Sequence, residues 1–369
     1  MIISARRLLS SHGLSEGWVE VVSDRIVEWG EGPYDGCPDQ VADVVSPGFV
    51  DVHCHGGGGA NFGADPAQIA TVLDTHAAHG TTTMVASLVT EALPHMVEEV
   101  RVLSQFVADG RLGGIHLEGP WLAEAYKGAH PAPLLLDPVI SDIDALLEAG
   151  GGGVRMVTVA PEKPGGIEAV RHLSEAGVMV AIGHTAADYD TTVKAIEAGA
   201  RGTTHLFNAM PEVLHRAPGP ALALWSDPRV WVELICDGIH IHPKLVAHVM
   251  ATKPERCVLV TDAMAAAGFD DGDYVLGELP VEVRGGVAHI AGTSTIAGST
   301  LTLDSAVRTA VAAGVDIVTA LRAATSNPAD YLGLKDVGRI ERGYWADLVC
   351  LTDGLKPTRV MRHGKWILP

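Results

Sequence analysis

From residue 46 onward, short apolar runs alternate with longer segments in which Ala, Leu, Val and Glu recur at helical spacing. The apolar runs cover 48–55, 81–89, 114–119, 154–160, 178–184, 202–207, 231–237 and 258–262. Runs this short and continuous predict strands buried on both faces, as in a parallel sheet. The segments 66–79, 93–108, 167–176, 189–198 and 244–251 predict the helices that cover it. Gly80, Gly113, Gly177 and Gly199 stand where a helix would end before the next strand begins. Eight strand–helix units over this length favour an α/β fold of the (β/α)8 TIM-barrel type over an open doubly wound sheet.

The two ends follow another pattern. Residues 1–45 and 338–369 read as strands and tight turns, and neither stretch is long enough to bury a core alone. Together they predict one small β-sandwich domain formed from both termini, with the barrel occupying 46–337. Within the barrel, 273–297 reads as β-hairpins inserted between the eighth strand and a helix over 301–313.

Composition narrows the setting. Hydrophobic residues make up 47% and charged residues 19%, which describes a packed globular chain. No apolar run is long enough to cross a bilayer, and the amino terminus lacks a basic-then-apolar signal segment, so a cytoplasmic location is expected. Five cysteines without CxxC spacing predict neither a disulfide framework nor a zinc ribbon. A net charge of −19 argues against nucleic acid and anionic membranes as partners. It also means that an anionic substrate would need its own local cations or backbone N–H groups.

The chemistry starts at Asp51-Val52-His53-Cys54-His55. On a strand, His53 and His55 share a face roughly 6–7 Å apart and can converge on one ion. Glu118, His184, His205 and Asp262 end four further strands. The carboxyl ends of barrel strands are where such folds build active sites. Singly, each residue has an ordinary explanation as a satisfied histidine or a helix-capping carboxylate. Jointly, six such groups at equivalent positions predict a metal site. Imidazoles with carboxylates suit zinc first, and iron(II), manganese or cobalt as well. The set exceeds what one four-coordinate ion needs, which admits two ions bridged by Glu118, or one ion with some groups outside its coordination shell. His116 shares a strand face with Glu118 one pleat deeper, where a supporting role is expected. The remaining histidines, except those taken up below, read as solvated or structural.

Five segments together resemble a known family: His53-Cys54-His55-Gly56, His116-Leu117-Glu118-Gly119-Pro120, Gly183-His184-Thr185, His205-Leu206-Phe207-Asn208-Ala209-Met210 and Thr261-Asp262-Ala263. The family is the N-acetylglucosamine-6-phosphate deacetylases of the metal-dependent amidohydrolase superfamily. Residues 343–349 resemble the superfamily's return strand into the small domain. The resemblance implies Glu118, His184 and His205 as ligands of a principal ion, with His53 and His55 helping to bind a second. It implies Asp262 as the acid/base and His130 as the group that contacts the reacting amide. It further implies that Asn208, Ala209, Arg216 and His240 hold the sugar phosphate, with Arg216 able to reach across a homodimer. Asn61 and Ala129 depart from the residues usual at their positions. The fourth strand has no lysine to carry a carbamate bridge, so Glu118 would take that role.

The implied reaction is hydrolysis of the acetamide of N-acetylglucosamine 6-phosphate to glucosamine 6-phosphate and acetate. Asp262 would move the proton from the attacking water to the departing amine. Two enzymatic alternatives keep the site and change the substrate, to the galacto epimer or to an unphosphorylated N-acyl amine. A metal-free barrel acting as an assembly or regulatory protein is the alternative from another class, and retention of all six ligand-type residues argues against it.

Overall fold

The computed structural model of the chain describes residues 1–367. Eight parallel strands follow one another around a barrel: Phe49–Cys54, Thr81–Leu88, Gly114–Glu118, Val154–Val159, Met179–Ile182, Gly202–Thr203, Trp231–Ile235 and Cys257–Val260. The last meets the first just beyond their ends. There the Asp262 N–H donates to the His53 carbonyl at 2.8 Å and the His55 N–H to the Ala263 carbonyl at 2.8 Å. Asp51, wholly buried, clasps the same seam by accepting from the Thr261 hydroxyl at 2.6 Å. A buried carboxylate is tolerable there because donors meet it.

The helices begin and end for local reasons. Asp65 accepts from the Ala67 N–H at the start of Pro66–Ala78, and Asp188 from the Thr191 N–H at the start of Tyr189–Ala198. Gly80 and Gly177 reverse the chain before the following strands with φ of 94° and 77°, a region open to glycine. The sixth strand is shorter than the apolar run 202–207 suggests. After Thr203 the chain departs from the strand, and His205, Phe207 and Ala209 all take positive φ. That departure lets the segment turn into the mouth of the barrel instead of continuing along its wall.

Seven strands from both ends of the chain form a second sheet, in the order Lys365–Trp366, Pro357–Arg362, Leu348–Leu351, Gln40–Pro47, Ile2–Ser10, Gly13–Val22 and Arg25–Glu31. Ile3, Val19, Ile26, Val45, Leu348 and Met361 meet in its buried cluster. Register shifts between Ala5 and Leu8 and between Glu20 and Val21 are irregularities of the kind by which sheets bend. A separate antiparallel sheet, Gly272–Leu276, Leu279–Arg284 and Val287–Ile290, follows the eighth barrel strand. It packs Leu276, Val281 and Val283 against Met264, Ala265 and Ala266, which places it over the carboxyl ends of the barrel strands.

Candidate active site

All six residues at the strand ends come together, and all are buried. Glu118 lies at the centre. Its Oε1 is 3.2 Å from His184 Nε2 and 3.1 Å from His205 Nε2, while its Oε2 is 3.0 Å from His55 Nε2. Asp262 Oδ1 lies 3.2 Å from His55 Nε2 and 3.4 Å from His53 Nε2. One ligand-type atom from each of His53, His55, Glu118 and Asp262 falls within 4.8 Å of the others. Oε1 is also 3.4 Å from His53 Nε2, so the one carboxylate touches all four imidazoles, those of the His184–His205 pair and those of the His53–His55 pair.

The outward ring nitrogens fix what the inward ones present. Nδ1 of His55 faces the Ser87 carbonyl at 3.1 Å, and Nδ1 of His184 faces the Tyr126 carbonyl at 2.8 Å. A carbonyl only accepts, so each ring carries its proton on Nδ1 and a neutral ring offers a bare Nε2 lone pair. Those lone pairs point at carboxylate oxygens, and acceptor facing acceptor at this range calls for a cation or protons between them. The donor set therefore fits a divalent metal. Without one, burial opposes charge on the rings, yet the carboxylates prevail. Glu118 and Asp262 hold His53 well above the ordinary histidine value and His55 at about 9. Burial likewise opposes charge on Glu118, but the surrounding imidazoles hold its carboxyl well below the usual range.

Three of these residues are held in strained backbone. His184, His205 and Asp262 have φ of 46°, 32° and 48°. The left-handed region costs a side-chain-bearing residue roughly 1–2 kcal/mol. It persists at Asp262 because the N–H is tied to His53 and the carbonyl accepts from the Ser299 N–H at 2.7 Å. Such strain concentrates where side chains must be aimed.

A cavity of about 470 Å3 opens above the cluster. His55, Glu118, His130, His184, His205 and Asp262 form its floor, and Asn208, Ala209 and His240 line its side. Arg216 is exposed on the loop before helix Gly219–Ser226 and does not line this chain's cavity. His215 is exposed beside it, and His242 caps helix Pro243–Thr252. His116 is buried beneath the floor, with Nδ1 2.9 Å from Ser87 Oγ and Nε2 2.8 Å from Thr158 Oγ1. Burial first, then the His53 charge, keeps His116 well below the ordinary histidine value, so it is a neutral spacer in the barrel floor.

Residues 44–367 match the Amidohydrolase family. The chain belongs to that family. This amidohydrolase is 36% identical to the N-acetylgalactosamine-6-phosphate deacetylase of Escherichia coli O157:H7, over 99% of its own length and 98% of the relative's. It is 37% identical to the N-acetylglucosamine-6-phosphate deacetylase of Danio rerio, over 85% of this chain and 81% of that one. A solved structure of a mutant N-acetyl-D-glucosamine-6-phosphate deacetylase from Mycobacterium smegmatis, in complex with N-acetyl-D-glucosamine-6-phosphate, superposes with a TM-score of 0.97. That pair is 47% identical, with 100% of this chain and 99% of the other covered.

Sequence reading missed several residues of the amidohydrolase site. Glu233, wholly buried in the seventh strand, reaches His53 Nδ1 at 3.0 Å. Its signal was a lone charge inside an apolar strand, Trp231-Val232-Glu233-Leu234-Ile235. Thr90 meets His130, and Leu276, Thr295 and Ile296 bring the inserted sheet to the rim of the cavity. These last have no local signature, because only the path of the chain sets them there.

Proposed function

We propose that this amidohydrolase removes the acetyl group of N-acetylglucosamine 6-phosphate, giving glucosamine 6-phosphate and acetate. The observation that carries this reading is Glu118. Its carboxylate touches the His184–His205 pair and the His53–His55 pair alike, beneath a cavity lined by Asn208, Ala209 and His240, three of the residues that the deacetylase resemblance assigns to the sugar phosphate. Glu118, His184 and His205 would hold the principal ion, zinc by preference, and His53 and His55 a second. A divalent ion held there acidifies a water to a pKa of about 7 and polarises the amide carbonyl.

The chain's own groups do the rest. Asp262 accepts the proton of the water that attacks the acetyl carbon. His130 donates from Nε2 to the carbonyl oxygen as that oxygen becomes anionic. The C–N bond then breaks as Asp262 returns its proton to the departing nitrogen. Burial, more than the opposing pull of Glu118, lowers His130 to about 4, so it serves as a neutral donor.

The phosphate would meet His240 and the backbone at Asn208-Ala209. The His240 ring is held by Asp237 Oδ2 at 2.6 Å. Arg216 would complete the site of a partner subunit in a cytoplasmic homodimer. Its loop exposes Val213 at 46% and Leu214 at 55%, an apolar pair suited to contact with a second copy. The galacto epimer is the second reading, favoured by the match to the galactosamine-type relative across almost the full length of both chains.

Acetate release from N-acetylglucosamine 6-phosphate, from its galacto epimer and from the unphosphorylated sugar, on protein of known metal content, tests this. The gluco phosphate should give the highest kcat/KM. Higher kcat/KM for the epimer would transfer the assignment to it, and equal turnover of the unphosphorylated sugar would remove the phosphate site.

A further inference from the structure

We infer that Glu233 is a positioning residue that sets up the second ion's site, at His53 and His55, and leaves the principal ion's site alone. This rests on the metal-dependent reading above and specifies which part of the chain decides whether the second ion binds. Glu233 is wholly buried, and three donors meet its carboxylate. His53 Nδ1 lies 3.0 Å from Oε2, the His205 N–H donates to Oε2 at 3.2 Å, and the Tyr331 hydroxyl donates to Oε1 at 3.3 Å.

The arrangement has two consequences. A carboxylate accepting at Nδ1 keeps the ring proton there, so a neutral His53 ring turns a bare Nε2 toward Glu118 and Asp262, 3.4 Å from each. It also places a negative charge directly behind that ligand. The other imidazoles lack this. His55 and His184 lean on backbone carbonyls, and among the described residues His205 Nδ1 has no hydrogen-bond partner. The His53 position alone has an ionic backing. Behind Glu233 the barrel is shaped for Tyr331: a Cβ on Gly202 would lie 2.1 Å from the Tyr331 hydroxyl oxygen. The glycine leaves room for the hydroxyl that fixes the far oxygen of Glu233. A charge in the core of a barrel strand is costly unless it is used. This one meets a single ligand ring, that of His53, and touches His205 only through its backbone N–H, a contact that an amide oxygen would keep.

Metal-depleted protein titrated with Zn2+ alone, by calorimetry and by metal quantification, tests the inference. Wild type should bind two ions per chain with separable affinities. Glu233→Gln keeps an acceptor for His53 and removes the charge, and should weaken the second ion about 10- to 100-fold while leaving the first unchanged. In a His53→Gln/His55→Gln background, adding Glu233→Gln should change the remaining ion's affinity no further. If Glu233→Gln does not fold, Tyr331→Phe reads the same quantity and should weaken the second ion several-fold. Unchanged affinity for both ions, or equal loss of both, overturns the role. A wild type that binds one ion overturns it and leaves the principal site standing. One that binds none overturns the metal reading as well.

Discussion

The backbone N–H of Thr90 donates to Nδ1 of His130 across 3.2 Å, so this ring carries its proton on Nε2, opposite to His55 and His184. The Thr90 hydroxyl lies on the same nitrogen at 2.9 Å. Two groups of buried imidazoles thus present opposite chemistry to one cavity, lone pairs from His55 and His184 and an N–H from His130. His130→Asn should therefore lower kcat by about 10²–10³ with a smaller change in KM. Metal content should stay at the wild-type level. Steady-state kinetics beside metal quantification decides this, and loss of metal would show that His130 acts as a ligand.

The proposed reaction has Asp262 take and return a proton, and its backbone is locked at φ 48° by hydrogen bonds to His53 and Ser299. Asp262→Asn keeps the side-chain shape but cannot accept a proton. Turnover should fall by about 10³ or more while the intact substrate still binds. Calorimetric titration of the variant with the phosphorylated sugar should show near-normal affinity. A variant that retains tenths of wild-type kcat would reassign the proton transfer.

How much of this was legible in the sequence follows from how far each feature depends on its neighbours in the chain. The eight strands were legible because a strand buried on both faces must be apolar throughout, as at Val154–Val159 and Cys257–Val260. Glu118, His184, His205 and Asp262 stood out because each interrupts an apolar run at the same end. Glu233 and Thr90 did not, since their meaning lies in partners 180 and 40 residues away. The apolar run 202–207 outlasts the sixth strand because such a run records burial, and residues 204–206 are buried while leaving the strand. The inserted sheet reads as hairpins, yet its place above the cavity comes only from the packing of Leu276 and Val281 on Met264 and Ala265.

Arg216 gives a prediction about assembly. It is exposed and outside this chain's cavity, so an effect on the substrate would have to arise across an interface. Arg216→Ala should raise KM for the phosphorylated sugar at least tenfold and change kcat little, as expected when a binding contact shared by ground and transition states is lost. Mixing Arg216→Ala with Asp262→Asn subunits, under conditions that allow exchange, should restore sites that have one intact Asp262 and one intact Arg216. No recovery of low-KM activity in exchanged mixtures would place Arg216 outside the site.

Glu99 links burial to pH. It lies on helix Leu93–Ala108, is 6% exposed, and lines a cavity of about 90 Å3 behind His55 together with Glu91. Burial, reinforced by the Glu91 charge, lifts its carboxyl from the ordinary 4.5 to about 7. The sign follows from proton counting. Between these values the folded chain keeps a proton that the unfolded chain has released, so this group's contribution is full below 4.5 and is lost as pH rises through about 7. Glu99→Gln has no proton to lose. Its stability relative to wild type should match near pH 4.5 and exceed it by about 3 kcal/mol at pH 8. Urea unfolding of metal-depleted protein at both values measures the difference, and equal offsets at the two pH values would mean that folding does not raise the Glu99 carboxyl.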